Sequence, residues 1–86
     1  GPEPPVSAVS TPYPNPAKTE IFLNGNWAKV PANISFADVN GKVREVRDAA
    51  LVAGKLVIPT RHLVSGIYIL RIVNGKENLV YKILKE

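Results

Sequence analysis

"GIYILRIVNGKENLVYKILKE", residues 66–86, decides how the rest of the chain is read. Apolar and polar residues alternate along two runs rich in Ile, Val, Leu and Tyr, and Asn74-Gly75 separates them. An Asn-Gly pair between alternating runs is the strongest short-range hairpin signal, because both residues tolerate positive φ. A two-residue loop at Asn74-Gly75 sets Leu70 opposite Leu79 and Tyr68 opposite Tyr81. Tyr68, Leu70, Ile72, Leu79 and Tyr81 then share one face, a self-consistent register. Ile67 and Ile69 oppose Tyr68 and Leu70, so the first run is apolar on both faces at its start and reads as a central, well-covered strand. Ile83 and Leu84 repeat the trend.

The same two-residue period runs upstream through "EIFLN", "NISFADV" and "KLVI", giving six or seven short strands. No segment carries an i, i+3, i+4 apolar stripe over a dozen residues. "RDAALVAG", residues 47–54, has room for one helical turn, with a short strand or a loop as the alternative. Asn-Gly recurs at Asn24-Gly25 and Asn40-Gly41. A two-residue loop at Asn40-Gly41 would set Ile34 against Arg47 and Phe36 against Glu45, mixing core with charge. A type I turn over Asp38-Val39-Asn40-Gly41, with Gly41 at a left-handed bulge, pairs Ile34 with Val46 and Phe36 with Arg44 instead. Asp38 then accepts hydrogen bonds from backbone N–H groups of the turn. These patterns predict an all-β fold, two sheets packed face to face as an immunoglobulin-like β-sandwich of about seven short antiparallel strands. Its expected interior is Ile21, Leu23, Ile34, Phe36, Val57, Leu63, Tyr68, Leu70, Ile72, Tyr81 and Ile83.

The 86 residues make one domain. A chain of that size hides only about 60–65% of its unfolded surface, which leaves little for a deep pocket. Cysteine is absent, so disulfides, thiolate nucleophiles and zinc clusters are excluded together. Lys and Arg number 11 against 7 Asp and Glu, for a net charge of +4 spread along the chain. That balance gives mild attraction to acidic surfaces, and without a clustered basic face it predicts no nucleic-acid partner. No apolar run approaches the roughly 20 residues of a membrane span, and no signal peptide opens the sequence. If the parent protein is exported, that address is expected upstream.

Residues 1–12 read as an extended linker rich in Pro and Ser, with Gly1 and Pro2 resembling a tag-protease scar, and 13–86 as the folded domain. Pro14 and Pro16 fix their own φ and bias Tyr13 and Asn15 away from the helical region, so the chain enters "KTEIFLN" extended and on a set heading.

Little chemistry is legible. His62 is the only histidine, and with no cysteine it has no partner of metal-ligand spacing. Ser65, His62 and Asp38 can be written as a triad, but no strained Gly-x-Ser-x-Gly turn supports it. No catalytic residue, metal site or cofactor is expected, and the chain reads as a non-enzyme. Trp27 either closes one end of the sandwich, the preferred reading, or stacks on sugar rings with Tyr13. Lys42, Arg44 and Arg47 share a hairpin that reads as a solvated face. "YKILKE" is either an edge strand guarded by its lysines or a strand that a partner grasps by strand addition.

In order along the chain, "YPNPAK" at 13–18, "ISFADVNGKV" at 34–43, "LVSGIYILRI" at 63–72 and "YKILKE" at 81–86 make it resemble a known family. The family is the type A C-terminal sorting domains of the type IX secretion system of the Bacteroidota, and the resemblance runs from Tyr13 to Glu86. It implies an immunoglobulin-like sandwich fused behind a cargo protein that reaches the periplasm by an ordinary signal peptide. It further implies recognition by the outer-membrane translocon and shuttle proteins, then cutting of the linker by a surface sortase, with cargo attached at the cell surface or released. Carried onto this chain, Pro14, Asn15 and Pro16 form the opening motif, and Asp38 and Gly41 shape the signature turn. Gly66 would relieve crowding and Tyr68 would fill the core. Lys82, Ile83, Leu84, Lys85 and Glu86 would be presented to the translocon, with the basic hairpin as a second contact. An exposed edge strand would also let the domain self-associate. The alternative reading is a non-catalytic binding or spacer module of a secreted enzyme, carbohydrate-binding through Trp27 and Tyr13.

Overall fold

A computed structural model describes residues 11–86. Seven strands follow in order: β1 Glu20–Asn24, β2 Asn33–Ala37, β3 Val43–Glu45, β4 Ala50–Val52, β5 Lys55–Pro59, β6 Gly66–Asn74 and β7 Glu77–Lys85. They form two antiparallel sheets, one ordered β1-β5-β4 and the other β3-β2-β6-β7. Among the described residues there is no helix. The fold is all-β, as the two-residue period requires. Residues 47–54 take the strand alternative, since β4 turns into β5 through Ala53 and Gly54, both at positive φ. The linker assigned to residues 1–12, with its tag scar at Gly1 and Pro2, lies outside the described residues except for Thr11 and Pro12. Pro12 is buried.

Alternation builds the core. The smaller sheet turns Ile21, Leu23, Leu56 and Ile58 inward, and the larger meets them with Ile34, Phe36, Tyr68, Leu70, Ile72 and Ile83. Leu63 and Ala17 join from outside the strands. Phe36 and Tyr68 meet edge to face with ring centroids 6.1 Å apart, the preferred aromatic geometry. Two expected interior positions need correction. Val57 is half-buried and points away from the core, because the β1–β5 register pairs Leu23 with Leu56 and Ile21 with Ile58. Tyr81 is also half-buried and lines the core margin.

The turns divide likewise. At Asp38-Val39-Asn40-Gly41 the sequence reading holds: Phe36 pairs with Arg44, Val46 N–H donates to the Ile34 carbonyl, and Gly41 sits at φ 80°. The Asp38 carboxylate accepts from the N–H groups of Asn40 and Lys42 at 2.9 and 3.0 Å. At the long hairpin the loop slips by one residue. Asn74 pairs with Glu77, so Gly75 and Lys76 form the turn, with Gly75 at φ 61° in its first central position. Leu70 therefore faces Tyr81 and Tyr68 faces Ile83, a shift of two from the expected register. An even shift leaves every side chain on its face, so the shared face of Tyr68, Leu70, Ile72, Leu79 and Tyr81 survives. Asn24-Gly25 closes no hairpin. β1 pairs with β5, and the chain crosses through residues 25–32 to the other sheet.

Candidate recognition site

The four sequence motifs do not remain four separate places. The first and last are brought into contact, because the arm before β1 lies along the outer edge of β7. The Asn15 side chain bonds twice to that edge, donating from Nδ2 to the Lys82 carbonyl at 3.0 Å and accepting at Oδ1 from the Leu84 N–H at 2.9 Å. Ala17 N–H donates to the Leu84 carbonyl at 2.7 Å, and Glu86 N–H to the Ala17 carbonyl at 2.9 Å. The pairing is parallel, Ala17 opposite Lys85, whereas every strand pair within the two sheets is antiparallel. Proline cannot donate to a ladder, so the side-chain amide of Asn15 supplies a donor and an acceptor between Pro14 and Pro16. Lys18 and Glu86 add an exposed ion pair at 3.6 Å.

The other end of the arm is anchored on β1. Tyr13 exchanges backbone hydrogen bonds with Phe22 at 3.0 and 2.7 Å, its ring stacks 5.6 Å from the Phe22 ring, and its hydroxyl donates to Asn24 Oδ1. Both X–Pro bonds of the arm, Tyr13-Pro14 and Asn15-Pro16, are cis. Ala17, at the β7 anchor, is fully buried and adds its methyl group to the core. The arm thus spans from the smaller sheet to the free edge of the larger one.

Of the five residues assigned to translocon contact, the structure turns two inward. Ile83 is completely buried in the core. Lys85 is buried too, its ammonium donating to the Leu63 carbonyl at 2.8 Å. This corrects the picture of an edge strand with both lysines facing water, and the cause is the strand period: 83 and 85 share the core face, 82 and 84 the other. Lys82, Leu84 and Glu86 are exposed. The same outer face carries Ile67, Ile69, Arg71 and Val80, where Ile67 pairs with Leu84, Ile69 with Lys82 and Arg71 with Val80. The outward surface of the last two strands therefore joins the apolar Ile67, Ile69, Val80 and Leu84 to two cations, Arg71 on β6 and Lys82 on β7.

The remaining motif residues hold the body together. The Tyr68 hydroxyl donates to the Val64 carbonyl at 2.6 Å, so Tyr68 and Lys85 both tie down the loop between β5 and β6. Gly66 does not relieve crowding, as a Cβ there would meet nothing within 4 Å; its φ of 150° is what disfavours a side chain. The Trp27 ring is half-buried against the core, and its Nε1–H donates to the Leu23 carbonyl at 3.0 Å, so it closes one end of the sandwich. Lys42, Arg44 and Arg47 are exposed beside β3, with Arg47 paired to Glu45 at 3.0 Å. His62 and Ser65 are exposed, and the Asp38 carboxylate is occupied by its own turn. Among the described residues no group of His, Asp or Glu is arranged to hold a metal ion.

Sequence reasoning missed the contact between arm and last strand, together with Leu56, Ile58 and Ala17 as core residues. The signal for the contact was present as a short polar side chain flanked by prolines, but its partners lie 67 and 69 residues away.

Among the described residues the body is all-β, and its arm and its last strand meet at one sheet edge. The family described as "Secretion system C-terminal sorting domain" matches residues 11–86, and the chain belongs to it. No curated protein and no solved structure matches the chain. Membership makes this a type IX secretion sorting domain, part of a cargo protein that the system exports across the outer membrane to the cell surface or the medium.

Proposed function

We propose that this non-catalytic domain carries its cargo to the type IX translocon by presenting the outward side of β7, with Lys82, Leu84 and Glu86 as the contact residues and Ile83 and Lys85 as the groups that hold them in place. The observation that carries this reading is the position of β7. It is an edge strand whose exposed residues alternate with buried ones, so its outward face survives only while the fold is intact. A charged and apolar strip on a rigid sheet gives a partner both steering and burial. Shuttle proteins of the system are the expected handlers. A surface sortase then cuts in the linker, residues 1–12, and the cargo is attached or released. The basic hairpin of Lys42, Arg44 and Arg47 is a second contact.

The test is a reporter fused ahead of the chain in a bacterium with a working type IX system. Leu84→Asp with Lys82→Glu should abolish export while the purified domain keeps its β-sheet circular dichroism and urea midpoint. Undiminished export of that pair, or of a chain lacking 81–86, would remove the reading. For the carbohydrate-binding alternative, the half-buried Trp27 ring is tied to the Leu23 carbonyl while Tyr13 packs on Phe22, and glycan affinity of the purified domain would favour that alternative.

A further inference from the structure

We infer that the arm around Asn15 and Ala17 is a displaceable strap over the docking edge of β7, and that an extended segment of the transport machinery takes its place. The inference rests on the sorting reading above and adds the backbone edge where recognition occurs and the event that accompanies it.

Leu84 directs its N–H and carbonyl to the outside, so by the two-residue period Asn78, Val80 and Lys82 do the same. Among the described residues, Asn78 and Val80 have no backbone partner on that side. Among the described residues the edge is thus one continuous ladder whose first half has no partner and whose second half, from Lys82 to Glu86, is strapped. The strap is a poor occupant of it. Pro14 and Pro16 offer no N–H, and the donor to the Lys82 carbonyl is a side-chain amide on an exposed residue. A proline-free extended segment would satisfy the same four groups, the Lys82 carbonyl, the Leu84 N–H and carbonyl and the Glu86 N–H, with backbone alone. It would also gain the ladder along Asn78 and Val80. The hydrogen-bonding capacity of the edge therefore favours exchange over addition at a fixed edge.

Exchange has a consequence at the other end of the strap. Residues 15–18 are held to β7 by these bonds and by the Lys18–Glu86 ion pair. When the edge is taken, the chain leading into the domain is freed from it. Recognition of the last strand and release of residues 15–18 become a single event, while Tyr13 keeps the start of the arm on β1.

Two measurements decide the matter. In the purified chain, native-state hydrogen exchange should show the Leu84 and Glu86 amides opening more readily than the Leu70 amide of the core. Asn15→Ala should speed Leu84 and Glu86 exchange and tryptic cleavage after Lys18 by about tenfold, with Leu70 remaining much slower than either amide, and Asn15→Asp should fall between, since it keeps only the acceptor. Exchange of Leu84 at the Leu70 rate, unmoved by either variant, overturns the strap.

The second measurement locks it. Lys18 and Glu86 lie one step beyond the Ala17–Lys85 pair, both exposed, so Lys18→Cys with Glu86→Cys can be bridged in the oxidising periplasm. With the bond verified by mass spectrometry, export should fall at least about tenfold relative to the same double variant kept reduced in cells lacking periplasmic thiol oxidation, so that the altered Glu86 is common to both arms. Measurable export that is equal in the bonded and reduced forms overturns the exchange. If the unaltered domain itself directs no export, it is the sorting reading that fails, and hydrogen exchange still decides whether the strap opens.

Discussion

The larger sheet ends in two edges that are protected in opposite ways. β3 is three residues long, every one exposed, and it is surrounded by Lys42, Arg44, Glu45 and Arg47. Shortness and charge suffice to discourage pairing there. β7 is nine residues long, with Ile83 and Lys85 buried and Val80 and Leu84 exposed. Such an edge needs cover, and it receives the arm. The difference teaches that the sheet has one edge that is inert by composition and one that is closed only by a contact, and a closed contact can be opened.

The largest expected effect separates the two edges by burial. Ile83→Ala should cost about 2–5 kcal/mol in urea denaturation, since Ile83 is wholly enclosed. Val43→Ala on β3 should stay within about 0.5 kcal/mol, because Val43 is largely exposed. Equal losses would break the distinction. Next comes Asp38→Ala, which strips two backbone amides of their acceptor at the turn feeding β3 and should cost about 1–2 kcal/mol.

Asn15→Ala should cost about 1 kcal/mol, the net of two exposed hydrogen bonds to β7, whereas Arg47→Ala beside β3 should cost less than about 0.5 kcal/mol. Chemical denaturation of the pair sharpens the contrast between a held edge and a merely charged one. Ala53→Gly should stabilise the domain by about 0.5–1 kcal/mol, because Ala53 stands at φ 51° in an exposed turn of the smaller sheet.

The smallest effect is alkaline. Burial, and then the nearby Glu77 carboxylate, raise the Tyr81 phenol above its usual value of 10.0. A raised folded value means that the contribution is complete below about pH 10 and disappears as pH climbs through the folded value. The stability of wild type should fall slightly faster above pH 10 than that of Tyr81→Phe, and identical pH profiles would contradict it.

How much of this was legible in the sequence follows from the range of each interaction. Local chemistry was readable: Asp38 and Gly41 specify a turn within four residues, and the alternation around Tyr68 and Leu70 fixes which face is buried even when the loop is misplaced by one residue. Asn74 prefers a strand pair with Glu77 because Gly75 alone satisfies the positive φ that the turn needs. In "KLVI" three consecutive apolar residues leave the inward face open, and only pairing with β1 selects Leu56 and Ile58 over Val57. Membership of the sorting-domain family was legible because its four motifs keep their order. The inward turn of Lys85 was not, since its partner is the carbonyl of Leu63 in a loop 22 residues earlier. Nor was the docking of Asn15, which spends a side chain where pattern reasoning looks for backbone.

Two prolines within four residues also set what the covered edge can become. A copy arriving from solution would find along the arm two positions, Pro14 and Pro16, that have no amide to donate in any direction. Growth of a sheet from one molecule to the next is thereby disfavoured along this arm.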